Sequence, residues 1–359
     1  MRSGGASTPH WLHANLRFQV TRSLHILTLL VGLLTGPSPI FADDALPRPS
    51  DQIALDLPAQ CRLGETCWVV NYVDGDSSVA AKDFHCHERT YNGHDGVNLA
   101  IRDRGVMEQG VSVIAAAPGM VRRVRDGVAD VGLSKSNSRE AIAGRECGNG
   151  VVIDHGYGLE TQYCHLKQHS IRVTVGKLVE RGAELGLIGL SGKTEFPHVH
   201  LTLRHDGHVI DPFTGRSREA GCGGQGHSLW RDLRITYEDV ALYHAGFSSE
   251  EPQIDAIRGG YAVSKPLSAD AATLVLWVDI FGVQADDRLR MQITAPDGRV
   301  ILDRTPQINR TQARRFIFAG LRRQSCAWPS GTYNGALRLQ CVGGMNTLIR
   351  RREVSVEIP

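Results

Sequence analysis

The sequence predicts a mainly β protein, with a sheet-built domain followed by a small β-sandwich. Three observations predict it. The 359 residues include 39 glycines, a supply of tight turns that suits β structure better than a helical bundle. Short apolar runs with strand-like alternation recur from about residue 61 to the C-terminus. Turn signals separate them, among them Pro118-Gly119, Gly156-Tyr157-Gly158 and Asp297-Gly298. With 42% hydrophobic and 22% charged residues the composition is that of an ordinary soluble protein, long enough for two cores.

The N-terminus comes first. Arg2, Arg17 and Arg22 precede LHILTLLVGLLTG, and SPIFADD follows, with Ala42 as a cleavage residue. A basic start, a short apolar core and a small residue describe a secretory signal over residues 1–42, and the run is short for a membrane span. The chain is expected to be periplasmic or secreted. Residues 43–84 read as a linker and N-terminal segment, opening with three prolines. Residues 85–215 form the first β domain. VSVIAAAPGMVRRVRDG gives two strands, GNGVVIDHGYGLETQYCHL a hairpin, and HVHLTLRHDGHVIDP a further strand and turn. Residues 216–255 are a connecting segment of mixed character. Residues 256–359 hold about six alternating runs, including the DRLRMQITAPDGRVIL hairpin, and are expected to form an immunoglobulin- or fibronectin-like sandwich.

Eight cysteines after an export signal favour disulfides. Cys61–Cys67 and Cys326–Cys341 are the local pairs; spacing does not pair the other four. No CxxC motif supports a zinc ribbon or a thioredoxin site. The net charge of +2 gives no whole-chain signal for nucleic acid. Charge is uneven, however: residues 281–359 carry 13 Arg, no Lys and 6 Asp or Glu, a balance that fits a solvated surface or contact with an anionic polymer.

The chemistry-bearing residues fall in three segments. In FPHVHL, His198 and His200 share one face of a strand while Val199 takes the other. Two imidazoles so placed suit a metal. In GHDGVN, His94 and Asn98 lie four apart, with Gly96 allowing a close backbone approach. His165, in QYCHL, ends the second hairpin strand. Other candidates are weaker. HCHERTY has Tyr91 where a zincin helix needs its second histidine, which leaves His85 and His87 as groove-rim residues. GLSGKT has Leu187 where a nucleotide-binding loop needs glycine, so no nucleotide is expected. Asp95 and Asp103 read as solvated carboxylates, with Asp95 pointing away from His94.

In their order and flanks, HDGVN, YCHL and HVHL resemble the lysostaphin/LytM-type zinc metallopeptidases, peptidoglycan endopeptidases whose pattern is His-x-x-x-Asp, Tyr-x-His-Leu and His-x-His. The resemblance covers residues 85–213 and implies a LytM-type β-sheet peptidase domain that binds zinc. Carried across by position, it makes His94, Asn98 and His200 metal ligands and His165 and His198 catalytic groups that steady the water and the oxyanion. Asn98 stands where the family has a ligand aspartate, so a neutral amide replaces a charge. The function implied is zinc-dependent hydrolysis of peptidoglycan peptide cross-links. The alternative is a weakened LytM-type domain that binds cell wall and regulates another hydrolase. Partners implied are peptidoglycan and, through the C-terminal domain, a cell-wall amidase or envelope protein. A third reading, an arginine-rich structural binder of peptidoglycan or polysaccharide, leaves the four histidines unexplained.

Overall fold

A computed structural model describes residues 53–133, 143–261, 266–324, 327–341 and 348–359. The expected signal at 1–42 lies outside the described residues, and so does Cys326 with its expected pairing to Cys341. Among the described residues no helix is long and apolar enough to cross a membrane. Helix is limited there to Arg104–Gln109, Ile254–Arg258 and a 3-10 turn at Arg218–Ala220.

The first ten strands are β1 (Cys67–Asn71), β2 (Val97–Ile101), β3 (Ser112–Ile114), β4 (Gly119–Arg125), β5 (Asn149–Gly156), β6 (Leu159–Leu166), β7 (Leu178–Val179), β8 (Glu184–Leu187), β9 (His198–His205) and β10 (His208–Ile210). Eight of them make one antiparallel sheet in the order β1-β2-β9-β6-β5-β4-β7, with β10 paired to β9; β3 and β8 pair separately. The expected hairpin is present as β5 and β6, with a turn through Tyr157 and Gly158, both at positive φ.

Period-two alternation decides which face of this sheet is core. On β9, Val199, Leu201 and Leu203 are fully buried and join Leu99, Tyr163, Val151 and Ile153 in the main apolar cluster. The intervening His198, His200 and Thr202 point to the opposite face. That face is polar and partly open. A one-residue slip of β9 would exchange the two sets, so the buried valine and leucines fix where the histidines point.

Seven strands follow: β11 (Ala241–Ser248), β12 (Thr273–Val283), β13 (Arg288–Thr294), β14 (Val300–Arg304), β15 (Gln312–Arg322), β16 (Gly331–Cys341) and β17 (Leu348–Ile358). They form a three-stranded sheet, β11-β12-β15, and a four-stranded one, β14-β13-β16-β17. A second core lies between them, with Leu276, Val278, Ile280, Leu289, Met291 and Leu337 at its centre. This is the sandwich that the alternating runs predict. Two elements fall outside the boundaries expected from sequence. Cys67–Asn71 is the edge strand of the first sheet rather than part of a linker, and Ala241–Ser248, from the mixed segment, pairs with β12. Their partners lie far along the chain, so local pattern could not place them.

The described residues make one compact unit, and the sandwich packs directly on the first sheet. Trp68, Val70 and Ala100 of β1 and β2 meet Ala241, Tyr243 and Phe281 in a small apolar cluster, with Phe196 packed against it. Beside it Asp279, fully buried, accepts from Arg258 at 2.8 and 3.0 Å and from the Tyr243 hydroxyl, and lies 3.0 Å from Arg314 Nη2. Arg314 also stacks over Phe196, Tyr243 and Phe281. One carboxylate thus pairs with two guanidinium groups at the junction. Removing it strands both cations, so Asp279→Asn is expected to destabilise the protein by about 3 kcal/mol in chemical denaturation, a cost expected of a broken buried ion pair.

Candidate functional site

The three sequence segments meet on the open face of the first sheet. β2 pairs with β9 so that Asn98 lies opposite His200, and β6 pairs with β9 so that Cys164 lies opposite His200 on the other side. His94 arrives from the loop before β2. Its backbone is held by Asp74, whose amide donates to His94 O at 2.8 Å and whose carboxylate accepts from Gly93 N at 2.8 Å. Gly96 makes the approach feasible. A Cβ there would lie 2.5 Å from Leu201 O and 2.6 Å from His200 Nε2.

His165 reaches the same space by breaking the strand pattern. Tyr163 faces the core, and strict alternation would send His165 after it. Instead His165 has φ 65°, a left-handed conformation that a non-glycine residue adopts at a cost of about 1 kcal/mol. Its ring centroid is 4.7 Å from that of His198 and 6.0 Å from that of His200. His94, Asn98, His165, His198 and His200 are all buried, each less than a tenth exposed. All five predicted site residues are brought together. His85 and His87 are not: they stack on Tyr237 in an aromatic group with Phe84.

The hydrogen bonds set which atoms face inward. His94 Nδ1 donates to Tyr72 O at 2.6 Å, so its Nε2 carries the lone pair. His200 Nε2 lies 3.2 Å from Asp95 Oδ1 and 2.9 Å from Thr202 Oγ1. A carboxylate only accepts, which makes Nε2 the donor and leaves the lone pair on Nδ1. Asn98 Nδ2 donates to Asn71 Oδ1 at 3.3 Å, which turns Oδ1 inward. The three inward atoms are His94 Nε2, His200 Nδ1 and Asn98 Oδ1, and they stand 3.1, 3.2 and 2.9 Å apart. None has a proton to give. Three acceptors this close repel unless a cation lies among them, so the donor set fits a metal ion. Among the described residues no group of three His, Cys, Asp or Glu side chains could hold a metal; here the third donor is an amide.

The other two histidines are oriented differently. His165 Nδ1 donates to Ser191 O at 2.8 Å and His198 Nδ1 to Phe196 O at 2.9 Å. Each keeps Nε2 without a partner among the described residues. Burial pushes the His165 imidazole down to about 3, aided by His200. Burial, with His165 beside it, likewise drives His198 well below the ordinary histidine range. His94 is pushed down to about 3 by burial and by His200. All three are neutral at pH 7, the form that can bind metal or accept a proton. The site opens into a cavity of about 370 Å³ whose wall includes Tyr91, Glu146, Gln162, Lys193 and Arg204.

The family model of peptidase family M23 matches residues 92–212, the stretch that carries all five residues. The chain carries a peptidase family M23 domain. An uncharacterized metalloprotease of Haemophilus influenzae is 27% identical over 121 residues, 34% of this chain and 20% of that protein. Peptidoglycan DD-endopeptidase ShyA of Vibrio cholerae is 45% identical over 56 residues, 16% of this chain and 13% of that protein. DD-carboxypeptidase/endopeptidase Mpg of Neisseria meningitidis serogroup B is 35% identical over 65 residues, 18% of this chain and 14% of that protein. The chain thus spans a fifth or less of the length of these curated relatives.

Two carboxylates of the M23 domain stand elsewhere than expected: Asp103 is buried and caps the Arg104–Gln109 helix, accepting from Val106 N at 2.8 Å, and the second is Asp95. It does not point away from the site but accepts from His200 and is held by Arg204 Nη2 at 2.8 Å. The turn at Gly96, next to Asp95, breaks the strand geometry assumed for it. Asn71 and Thr202 also carried no local signal; only strand register puts them beside Asn98 and His200.

Two outcomes test this arrangement. Gly96→Ala forces the loop away from His200, and metal affinity measured by chelator competition should fall at least tenfold while the far-UV spectrum stays native. The buried neutral histidines also set a pH dependence. Their folded pKa values lie below the unfolded value near 6.5, so their contribution is present above that pH and lost as pH falls toward about 3. The melting temperature of metal-free protein should therefore drop steadily between pH 6.5 and 4, and less so in His165→Gln.

Proposed function

We propose that this chain is a zinc-dependent endopeptidase that hydrolyses peptide cross-links of bacterial peptidoglycan. His94, Asn98 and His200 hold the zinc, and His165 and His198 are the catalytic pair. The observation that carries the reading is the convergence of three unprotonated donors in a buried site, with two neutral histidines beside them. Zinc, when bound, supplies a Lewis acid that polarises the scissile carbonyl and acidifies water toward neutral pH. His165 and His198, each anchored through Nδ1, present Nε2 as a base for the attacking water. Once protonated, the same atom donates to the oxyanion or the leaving amine.

The neutral amide of Asn98 weakens the attraction for a dication relative to a carboxylate. Asp95 offsets part of this from one step further out: by accepting from His200 Nε2 it makes the ligating nitrogen a better donor. The relatives named for peptidoglycan cleavage support the substrate, and the disulfides Cys61–Cys67, Cys86–Cys222 and Cys147–Cys164 among the described residues agree with export to an oxidising compartment. The sandwich would hold the enzyme on its polymer or dock an envelope protein such as an amidase. Asn98 also favours a second reading, in which the domain is a weakened M23 fold that binds cell wall and regulates another hydrolase.

Zinc content and release of soluble fragments from purified peptidoglycan separate the two readings. The enzyme reading expects close to one zinc per chain and measurable release by wild type, with His165→Ala reducing release at least a hundredfold while zinc is retained. Metal-free, inactive wild type whose Asn98→Asp variant gains both zinc and activity would instead establish the regulatory reading.

A further inference from the structure

The open face of the first sheet does not end at the histidines. Read across the strands, the register places Asn98 on β2, His200 on β9 and Cys164 on β6 in one row, and Gly150 on β5 opposite Arg125 on β4. The next row runs Thr202, Gln162, Val152 and Arg123. Gly150 belongs to the same face as the Cys147–Cys164 disulfide, since a Cβ there would lie 2.9 Å from Cys147 Sγ. A second cavity, about 360 Å³, lies over β4 and β5. It shares Cys147 and Gln162 with the histidine cavity, so the two adjoin. On the opposite side the sandwich covers Trp68, Val70 and Ala100. The free run of this face therefore leads from the histidines over the disulfide toward β4.

The far end is basic. Arg122, Arg123 and Arg125 line it beside Val124, Val152 and Val175. Two of the three are already neutralised, Arg122 by Asp154 and Arg123 by Glu160 at 3.1 Å. Arg125 is exposed and has no ion-pair or hydrogen-bond partner among the described residues; Glu146, at the edge of the histidine cavity, feels its charge. A planar guanidinium over an apolar floor is suited to a carboxylate held in bidentate fashion.

We propose that this second cavity is a substrate subsite in which Arg125 binds a carboxylate of the peptide being cleaved. The inference rests on the endopeptidase reading and specifies its substrate. Arg125 lies three strand spacings from His200, about 14 Å, the span of about four extended residues. The recognised group is thus a free carboxylate about four residues from the scissile bond, and Arg125 is a specificity residue remote from the reacting atoms.

Two synthetic cross-linked peptides test this, identical except that one carries a carboxylate at that position and the other a carboxamide. Wild type, Arg125→Ala and Arg125→Lys, each as the full exported chain with zinc, are compared on both. Wild type should prefer the carboxylate about tenfold in kcat/KM, the effect lying in KM, as expected for one charge-assisted contact. Arg125→Ala should treat the two alike with kcat on the carboxamide unchanged, and Arg125→Lys should retain part of the preference. A wild type indifferent to the carboxylate, or an Arg125→Ala variant that keeps the preference, overturns the subsite. If wild type cleaves neither peptide, the endopeptidase reading fails, and calorimetric titration of the same peptides decides the subsite alone. Tighter carboxylate binding that is lost in Arg125→Ala then upholds it, and equal binding overturns it.

Discussion

The pairing of β2 with β9 is the constraint on which the site depends. It puts Asn98 opposite His200 and, one residue on, Leu99 opposite Val199. The first pair faces the groove and the second lies in the core. The register is therefore held by burial of Val97, Leu99, Val199 and Leu201, which lose their apolar contacts if the strands slip. The polar face needs no stability of its own. It can carry three mutually repelling acceptors because the opposite face pins them there.

The same separation of roles recurs around the site. Each histidine that faces the cavity is tied back by its other nitrogen: His94 to Tyr72, His165 to Ser191, His198 to Phe196 and His200 to Asp95 and Thr202. Three of these partners are backbone carbonyls, fixed by the fold rather than by side-chain chemistry. His200 is tied back by side chains instead, and there Asp95 supplies the carboxylate that position 98 lacks. The sandwich contributes a wall. Phe196 stacks on His198 and on Phe281, and the ionic group around Asp279 holds that junction together. Damage to the junction should thus reach the histidine strand through Phe196.

The sequence alone determined much about this protein. Alternation in HVHLTL and in the C-terminal runs foretold strands because burial of one face imposes period two. The motifs HDGVN, YCHL and HVHL named the five residues because their chemistry is carried by residue type. The adjacent cysteines Cys61 and Cys67 could be paired because short loops close locally. What only the tertiary structure decided was everything set by strand register and loop path. It brought Asp95 onto His200, which a strand reading had sent away, and it gave His165 a backbone conformation that no local signal announces. It joined Cys86 to Cys222 across 136 residues and added β1 and β11 to their sheets. These are long-range facts: they follow from which strands meet, and that is fixed by the burial of whole faces rather than by any stretch of sequence read alone.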